Sequence, residues 1–121
     1  MHGPTFMANP LACAVAAASV QLLLDSDWQS NFDRLQRQLR AGLAPARALA
    51  GVADVRVLGG IGVVELIEQP DASRLQAALV AHGAWVRPFG RLVYTMPPYI
   101  STDQDLQTVT GAIVAAVAET G

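Results

Sequence analysis

Two valine- and isoleucine-rich runs, Val52 to Leu58 and Ile61 to Ile67, stand with only Gly59-Gly60 between them. A two-residue glycine connection joins strands as a hairpin, because it allows the backbone angles so tight a turn requires. The chain has 121 residues, enough for one ordinary domain. The rest of the sequence is therefore read as elements that pack on, or extend, this hairpin.

Helical periodicity precedes it. Asn9-Pro10 resembles an N-cap followed by proline at the first helical position. Leu11, Val15, Ala18 and Leu22 then share one face, and the other faces are mostly alanine, so this helix is expected to be buried on several sides. A second helix begins near Asp27, with Trp28, Phe32, Leu35, Leu39 and Leu43 on its apolar face. Arg34, Arg37, Gln38 and Arg40 lie opposite as a solvated face, and Pro45 marks the end region. After the hairpin, Pro70-Asp71 starts a third helix carrying Leu75, Ala78 and Leu79, which His82-Gly83 ends. Ala84 to Arg87 and Arg91 to Met96 are expected as two short strands turned by Pro88-Phe89-Gly90. Ser101-Thr102-Asp103-Gln104 resembles a capping box. It opens a last helix with Leu106, Val109, Ile113 and Val117 in one stripe. The order helix, helix, strand, strand, helix, strand, strand, helix predicts an α+β fold, a small, mostly antiparallel sheet covered by helices. Residues 1–9 read as an irregular segment and residues 10–121 as a single domain.

Composition narrows the function classes. The chain is 52% hydrophobic and 15% charged, which suits a folded core. A formal net charge of -2 offers no electrostatic attraction to nucleic acid or an anionic membrane. The apolar run from Pro10 to Val20 is too short to span a bilayer, so a soluble, cytoplasmic protein is expected. The one cysteine, Cys13, excludes an internal disulfide. Among alanines it reads as a small buried hydrophobe, with a reactive thiol as the alternative. No metal is expected, since no Cys or His pair has zinc-ligand spacing. There is no phosphate-cradling Walker loop and no Gly-x-Ser-x-Gly elbow. Gly59-Gly60-Ile61-Gly62 lies between strands rather than before a helix, which makes it turn chemistry. His82 sits where it would complement the end of a helix dipole.

Two segments invite a chemical reading. In His2-Gly3-Pro4-Thr5, glycine permits close backbone approach, and a threonine hydroxyl beside backbone N–H groups suits phosphate oxygens. An ordinary loop is the alternative. In Trp85-Val86-Arg87-Pro88-Phe89-Gly90, an arginine stands in an apolar, aromatic run and the following proline keeps it extended. Its guanidinium is suited to a planar carboxylate through two parallel hydrogen bonds. An internal ion pair with Glu65, Glu68 or an aspartate is the alternative.

At these segments the sequence resembles the class III (omega) aminotransferases. Residues 2–14, His-Gly-Pro-Thr-Phe-Met-Ala-Asn-Pro-Leu-Ala-Cys-Ala, look like the stretch that follows that family's catalytic lysine. Ala53 to Glu65, and Trp85 to Gly90 with Tyr94 to Ile100, extend the likeness in the right order. The narrower forms of these motifs resemble the branch that moves an amino group from S-adenosylmethionine to 8-amino-7-oxononanoate, giving 7,8-diaminononanoate in biotin biosynthesis. The resemblance covers nearly all of this chain but only the C-terminal part of the family's chain. It implies the small C-terminal domain of a fold type I pyridoxal-phosphate enzyme that works as a homodimer. It also implies that Pro4 and Thr5 contact the phosphate of pyridoxal 5'-phosphate in the neighbouring subunit. Gly3 would line the substrate pocket, Arg87 would hold the oxononanoate carboxylate, and Phe89 and Tyr94 would be pocket walls.

One absence limits that implication. All eight basic residues are arginine and none is lysine. The family's cofactor chemistry needs a lysine amine, so this chain alone is expected to be inactive, with no catalytic residue of its own. A stand-alone binding or interaction domain, or a piece of another class III member with a different amino donor, are the competing readings. The first helix and the Gly3–Met7 segment, if left uncovered, are expected to promote self-association.

Overall fold

The computed structural model describes residues 3, 5 and 7–121. Its elements are α1 (Pro10–Asp25), α2 (Trp28–Leu43), a short 3-10 turn (Ala44–Ala48), β1 (Val52–Leu58), β2 (Ile61–Leu66), α3 (Ala72–Ala81), β3 (Leu92–Thr95) and α4 (Asp103–Thr120). By contact they fall into two units, Met1–Asn31 and Phe32–Gly121. The division lies inside α2, whereas the sequence reading draws its boundary at residue 9.

In the first unit, Asn9 caps α1 by accepting from the Ala12 N–H at 3.1 Å, and Pro10 takes the first helical position. Both follow the sequence pattern, because the first amides of a helix lack partners and proline has none to lose. Burial does not follow it. No residue of α1 is buried, and Leu11 and Leu22 are 75% and 74% exposed. Cys13 is exposed as well, not the small buried hydrophobe expected. An apolar surface expresses a demand for a partner, and this unit contains no second element large enough to meet it.

The second unit is built on the hairpin. β1 and β2 pair antiparallel from Leu58↔Ile61 through Arg56↔Val63 to Val52↔Leu66, with an irregularity between Val52 and Asp54. β3 adds antiparallel to β2, with Gly62↔Thr95 and Glu65↔Leu92, giving the order β1-β2-β3. Gly59 turns the hairpin with φ +56°, and a Cβ there would lie 2.2 Å from the Phe32 ring. The position thus requires glycine twice over, for its backbone angle and for the aromatic ring seated on it. Gly62 serves packing instead, since a Cβ would meet Leu43 of α2 at 2.7 Å.

Helices fill one face of the sheet. Val55, Val64, Leu66 and Val93 pack with Leu75 and Leu79 of α3, Leu43 of α2, and Ile113, Ala116 and Val117 of α4. Leu35 and Leu39 of α2 form a second cluster with Leu106 of α4. Each fully buried leucine contributes about 2 kcal/mol by removal from water. The Thr102 side chain and Asp105 cap α4 reciprocally, one residue beyond the four sequence positions first matched to that motif. Arg34 leaves the solvated face assigned to it. It binds Asp103 at 2.6 Å and the Ser101 carbonyl at 2.8 Å, tying α2 to the start of α4. His82 at the end of α3 meets Glu119 of α4 at 2.6 Å.

One predicted strand is missing. Ala84 to Arg87 belongs to no strand and lies outside the sheet. Its neighbour Phe89 forms only an isolated bridge with Leu92. Those two residues exchange backbone hydrogen bonds of 2.8 and 2.9 Å, and Gly90 turns between them at φ +57°. The tight turn uses the pairing capacity of the chain locally, and Pro88 has no N–H to offer a ladder.

Candidate functional site

The segment after α3 is anchored on alternate residues. Ala84 and Val86 are buried in the core. Trp85 and Arg87, alternating with them, are exposed, the two-residue period in which successive side chains face opposite sides. β3 repeats the pattern, with Val93 and Thr95 inward and Tyr94 outward. These two stretches and the start of α4 enclose a cavity of about 480 Å³. Trp85, Arg87, Tyr94, Met96, Ser101 and Asp105 are among its lining residues.

Arg87 makes no ion pair or hydrogen bond among the described residues. The alternative, an internal ion pair with Glu65, Glu68 or an aspartate, has no counterpart among the described residues, and Glu65 turns to other arginines. It binds Arg56 at 2.6 Å and lies 3.7 Å from Arg91. Arg56 also binds Asp54 at 3.0 Å. Hydrogen bonding to Glu65, and then to Asp54, raises the Arg56 pKa. The Arg56 side chain, followed by the Val55 N–H, lowers that of Asp54. The charges of β1 and β2 are thus internally matched, whereas Arg87 is not.

Asp105, which also lines the cavity, takes part in the α4 cap. The Thr102 N–H donates to its carboxylate at 3.0 Å, and this bond, followed by the Thr102 side chain, holds its pKa below the usual carboxylate value. Tyr94 lines the cavity together with Arg87. Phe89 does not. It is 73% exposed at the turn, on none of the cavity's walls. Gly3 and Thr5 are exposed and belong to the first unit, and Pro4 lies outside the described residues. Among the described residues, no three His, Cys, Asp or Glu side chains gather as a metal site. No single described helix is long and apolar enough to cross a membrane.

Sequence reasoning passed over Trp85, Met96, Ser101 and Asp105. The two-residue alternation that exposes Arg87 also exposes Trp85, so that residue was within reach. Asp105 was not, because it lies 18 positions from Arg87 in the chain and reaches the cavity only through the packing of α4.

The model of the family described as Aminotransferase class-III matches residues 1–117. The chain belongs to the class III aminotransferases. It is 51% identical over 117 residues to an adenosylmethionine-8-amino-7-oxononanoate aminotransferase from Corynebacterium glutamicum, covering 97% of this chain and 28% of that protein. It is 48% identical over 114 residues to the enzyme of the same name from Mycobacterium leprae, covering 94% of this chain and 26% of that one. An amine transaminase from an uncultivated Pseudomonas species, solved in its PLP-bound form, superposes with a TM-score of 0.86 at 29% identity. That match covers 100% of this chain and 30% of the other. The chain therefore spans little more than a quarter of the relatives it matches, and its α+β arrangement is that of a part of the aminotransferase fold.

Proposed function

We propose that this chain forms the C-terminal part of a pyridoxal-phosphate-dependent aminotransferase that moves an amino group from S-adenosylmethionine to 8-amino-7-oxononanoate in biotin biosynthesis. One observation carries the reading. Arg87 is an arginine without a partner among the described residues, set in a cavity with aromatic and apolar walls. A guanidinium there binds the oxononanoate carboxylate through two parallel hydrogen bonds. Tyr94 and the neighbouring apolar side chains offer contact to the substrate's aliphatic part. Phe89, proposed as a pocket wall, would contribute from outside this cavity.

The donor set at the other end of the chain fits one part of the cofactor. Thr5 offers a hydroxyl, and Gly3 has nothing within 4 Å of where a side chain would stand, so a phosphate can approach this backbone closely. Thr5, with Pro4, would hold the phosphate of pyridoxal 5'-phosphate bound in the partner subunit of a cytoplasmic homodimer, and Gly3 would border the substrate. When bound, the cofactor supplies the electron sink for amino transfer. The lysine that the reaction needs must come from outside these 121 residues, and the chain by itself is inactive.

The test is Arg87→Ala in the whole enzyme. Hydrogen bonds to charged groups are worth about 1.5–3 kcal/mol, so KM for 8-amino-7-oxononanoate rises roughly 10- to 100-fold. KM for S-adenosylmethionine moves far less. Equal effects on both substrates would overturn the assignment.

A further inference from the structure

The free edge of the sheet carries a separate concentration of arginine. β1 is an edge strand. Beside it Arg40 of α2, Arg47 of the 3-10 turn and Arg56 of β1 line one cavity of about 460 Å³ with Val55 and Val57. None of these residues lines the cavity of Arg87. The ion pairs across the strands balance, since Arg56 and Arg91 meet Asp54 and Glu65. Arg40 and Arg47 add positive charge beside them. Arg47 stands 3.8 Å from Asp54, whose carboxylate already accepts from Arg56 at 3.0 Å and from the Val55 N–H at 2.8 Å. Arg40 has no ion pair or hydrogen bond among the described residues. This surplus lies on a chain whose formal net charge is -2.

Protection of the strand edge accounts for part of the arrangement. The Val55 N–H bonds Asp54, and the Val55 carbonyl accepts from Arg47 at 2.6 Å, so a further strand cannot pair at that residue. Edge protection does not account for the donors left over. One nitrogen of Arg56 makes both of its bonds, and Arg47 is held by the Val55 carbonyl, so each guanidinium is fixed and still has N–H groups to give. Residues of an antiparallel pair turn their backbone groups alternately toward and away from the partner strand. Val57, two residues from Val55, therefore presents its N–H to the same free edge.

We infer that this cavity is a binding site for a multiply charged phosphate compound, such as a diphosphate. A carboxylate is planar and is matched by a single guanidinium. A phosphate presents oxygens in several directions, which suits guanidinium groups arriving from a helix, a turn and a strand. The surplus of two positive charges favours a ligand with more than one negative charge. Arginines already fixed on the strand lose less freedom when the ligand binds.

Titration calorimetry of pyrophosphate into the 121-residue chain tests the site without cofactor or turnover. Binding saturates at a single site per chain and weakens as salt is raised. Arg40→Ala removes an exposed side chain with no partner to lose, so its unfolding midpoint is unchanged while pyrophosphate binds roughly 10-fold more weakly. Arg40→Lys restores only part of the loss, because an ammonium cannot offer two parallel N–H groups. Arg37→Ala, on the same helix but outside the cavity, changes affinity less than about twofold. The Val57 amide resonance moves during the titration. Malonate, with two planar carboxylates, binds more weakly than pyrophosphate. Absence of pyrophosphate binding would overturn the inference, as would equal affinity for malonate. Equal losses in Arg37→Ala and Arg40→Ala would overturn it as well, by showing diffuse attraction in place of a site. So would binding that falls with Thr5→Ala or Arg87→Ala and survives Arg40→Ala, since the phosphate would then occupy the sites proposed above.

Discussion

The helices α1 and α4 are nearly equal in length and both rich in alanine, yet they end in opposite circumstances. α1 buries none of its 16 residues. α4, with 18, buries Leu106, Thr110, Ala112, Ile113, Ala116 and Val117. Both have sound N-terminal caps, so local helix chemistry does not separate them. The difference is that α4 lies among α2, α3 and a sheet whose inward side chains it meets, while α1 belongs to a unit with nothing of comparable size to cover it. Burial is a property of a pair of surfaces, and a sequence displays one of them at a time.

The largest test of that contrast is truncation in each helix. Ile113→Ala should cost about 2–5 kcal/mol, measured by urea unfolding of the 121-residue chain. Leu22→Ala, removing a similar side chain from α1, should change stability by less than about 0.5 kcal/mol. A loss at Leu22 equal to that at Ile113 would mean that α1 is covered in solution. Self-association is the obvious way to cover it, so sedimentation should show concentration-dependent assembly. Leu11→Glu combined with Leu22→Glu should then return the chain to a monomer. Monomeric behaviour of the unaltered chain at high concentration would show that α1 tolerates water without a partner.

Smaller effects sharpen the comparison. Gly59→Val forces a branched side chain into positive φ and against Phe32, and should cost at least 1–2 kcal/mol, roughly the strain of such a backbone. Thr102→Ala, which removes the α4 cap, should cost about 1 kcal/mol in the same unfolding assay. Asn9→Ala should be silent there, because α1 contributes little to the cooperative core. The smallest effect is a pH dependence. Asp54 and Asp105 both have lowered pKa values in the folded chain. Their stabilising contribution is therefore full above the ordinary carboxylate value of 3.8, and is lost as pH falls through their folded values. Asp105→Asn should flatten the decline in stability below about pH 4. An unaltered slope would mean that the Thr102 N–H does not favour the charged form.

Much of the fold was legible because its signals are local. The glycine pair between two β-branched runs specifies a hairpin. Asn9-Pro10, Pro70-Asp71 and the Ser101 to Gln104 run mark three helix starts, the last one residue ahead of the observed Thr102 cap, and the stripes of α2 and α4 name Leu35, Leu39, Leu43, Leu106, Ile113 and Val117 in the core, whereas Trp28 and Phe32 of the α2 stripe stay exposed. Arg87 was legible as a candidate because an arginine in an apolar, aromatic stretch needs a reason. What the sequence by itself determined is therefore the four helices, the hairpin and the strand that follows α3, in their order. Tertiary structure alone decided which surfaces met. It left Ala84 to Arg87 outside the sheet, because a tight turn at Gly90 consumed the available pairing. It drew Arg34 to Asp103 and Glu65 to Arg56, and gave Arg87 no partner among the described residues. It set Asp105 into the cavity of Arg87, and it left α1 bare. Each of these outcomes depends on distances between residues far apart in the chain, and no local periodicity encodes such distances.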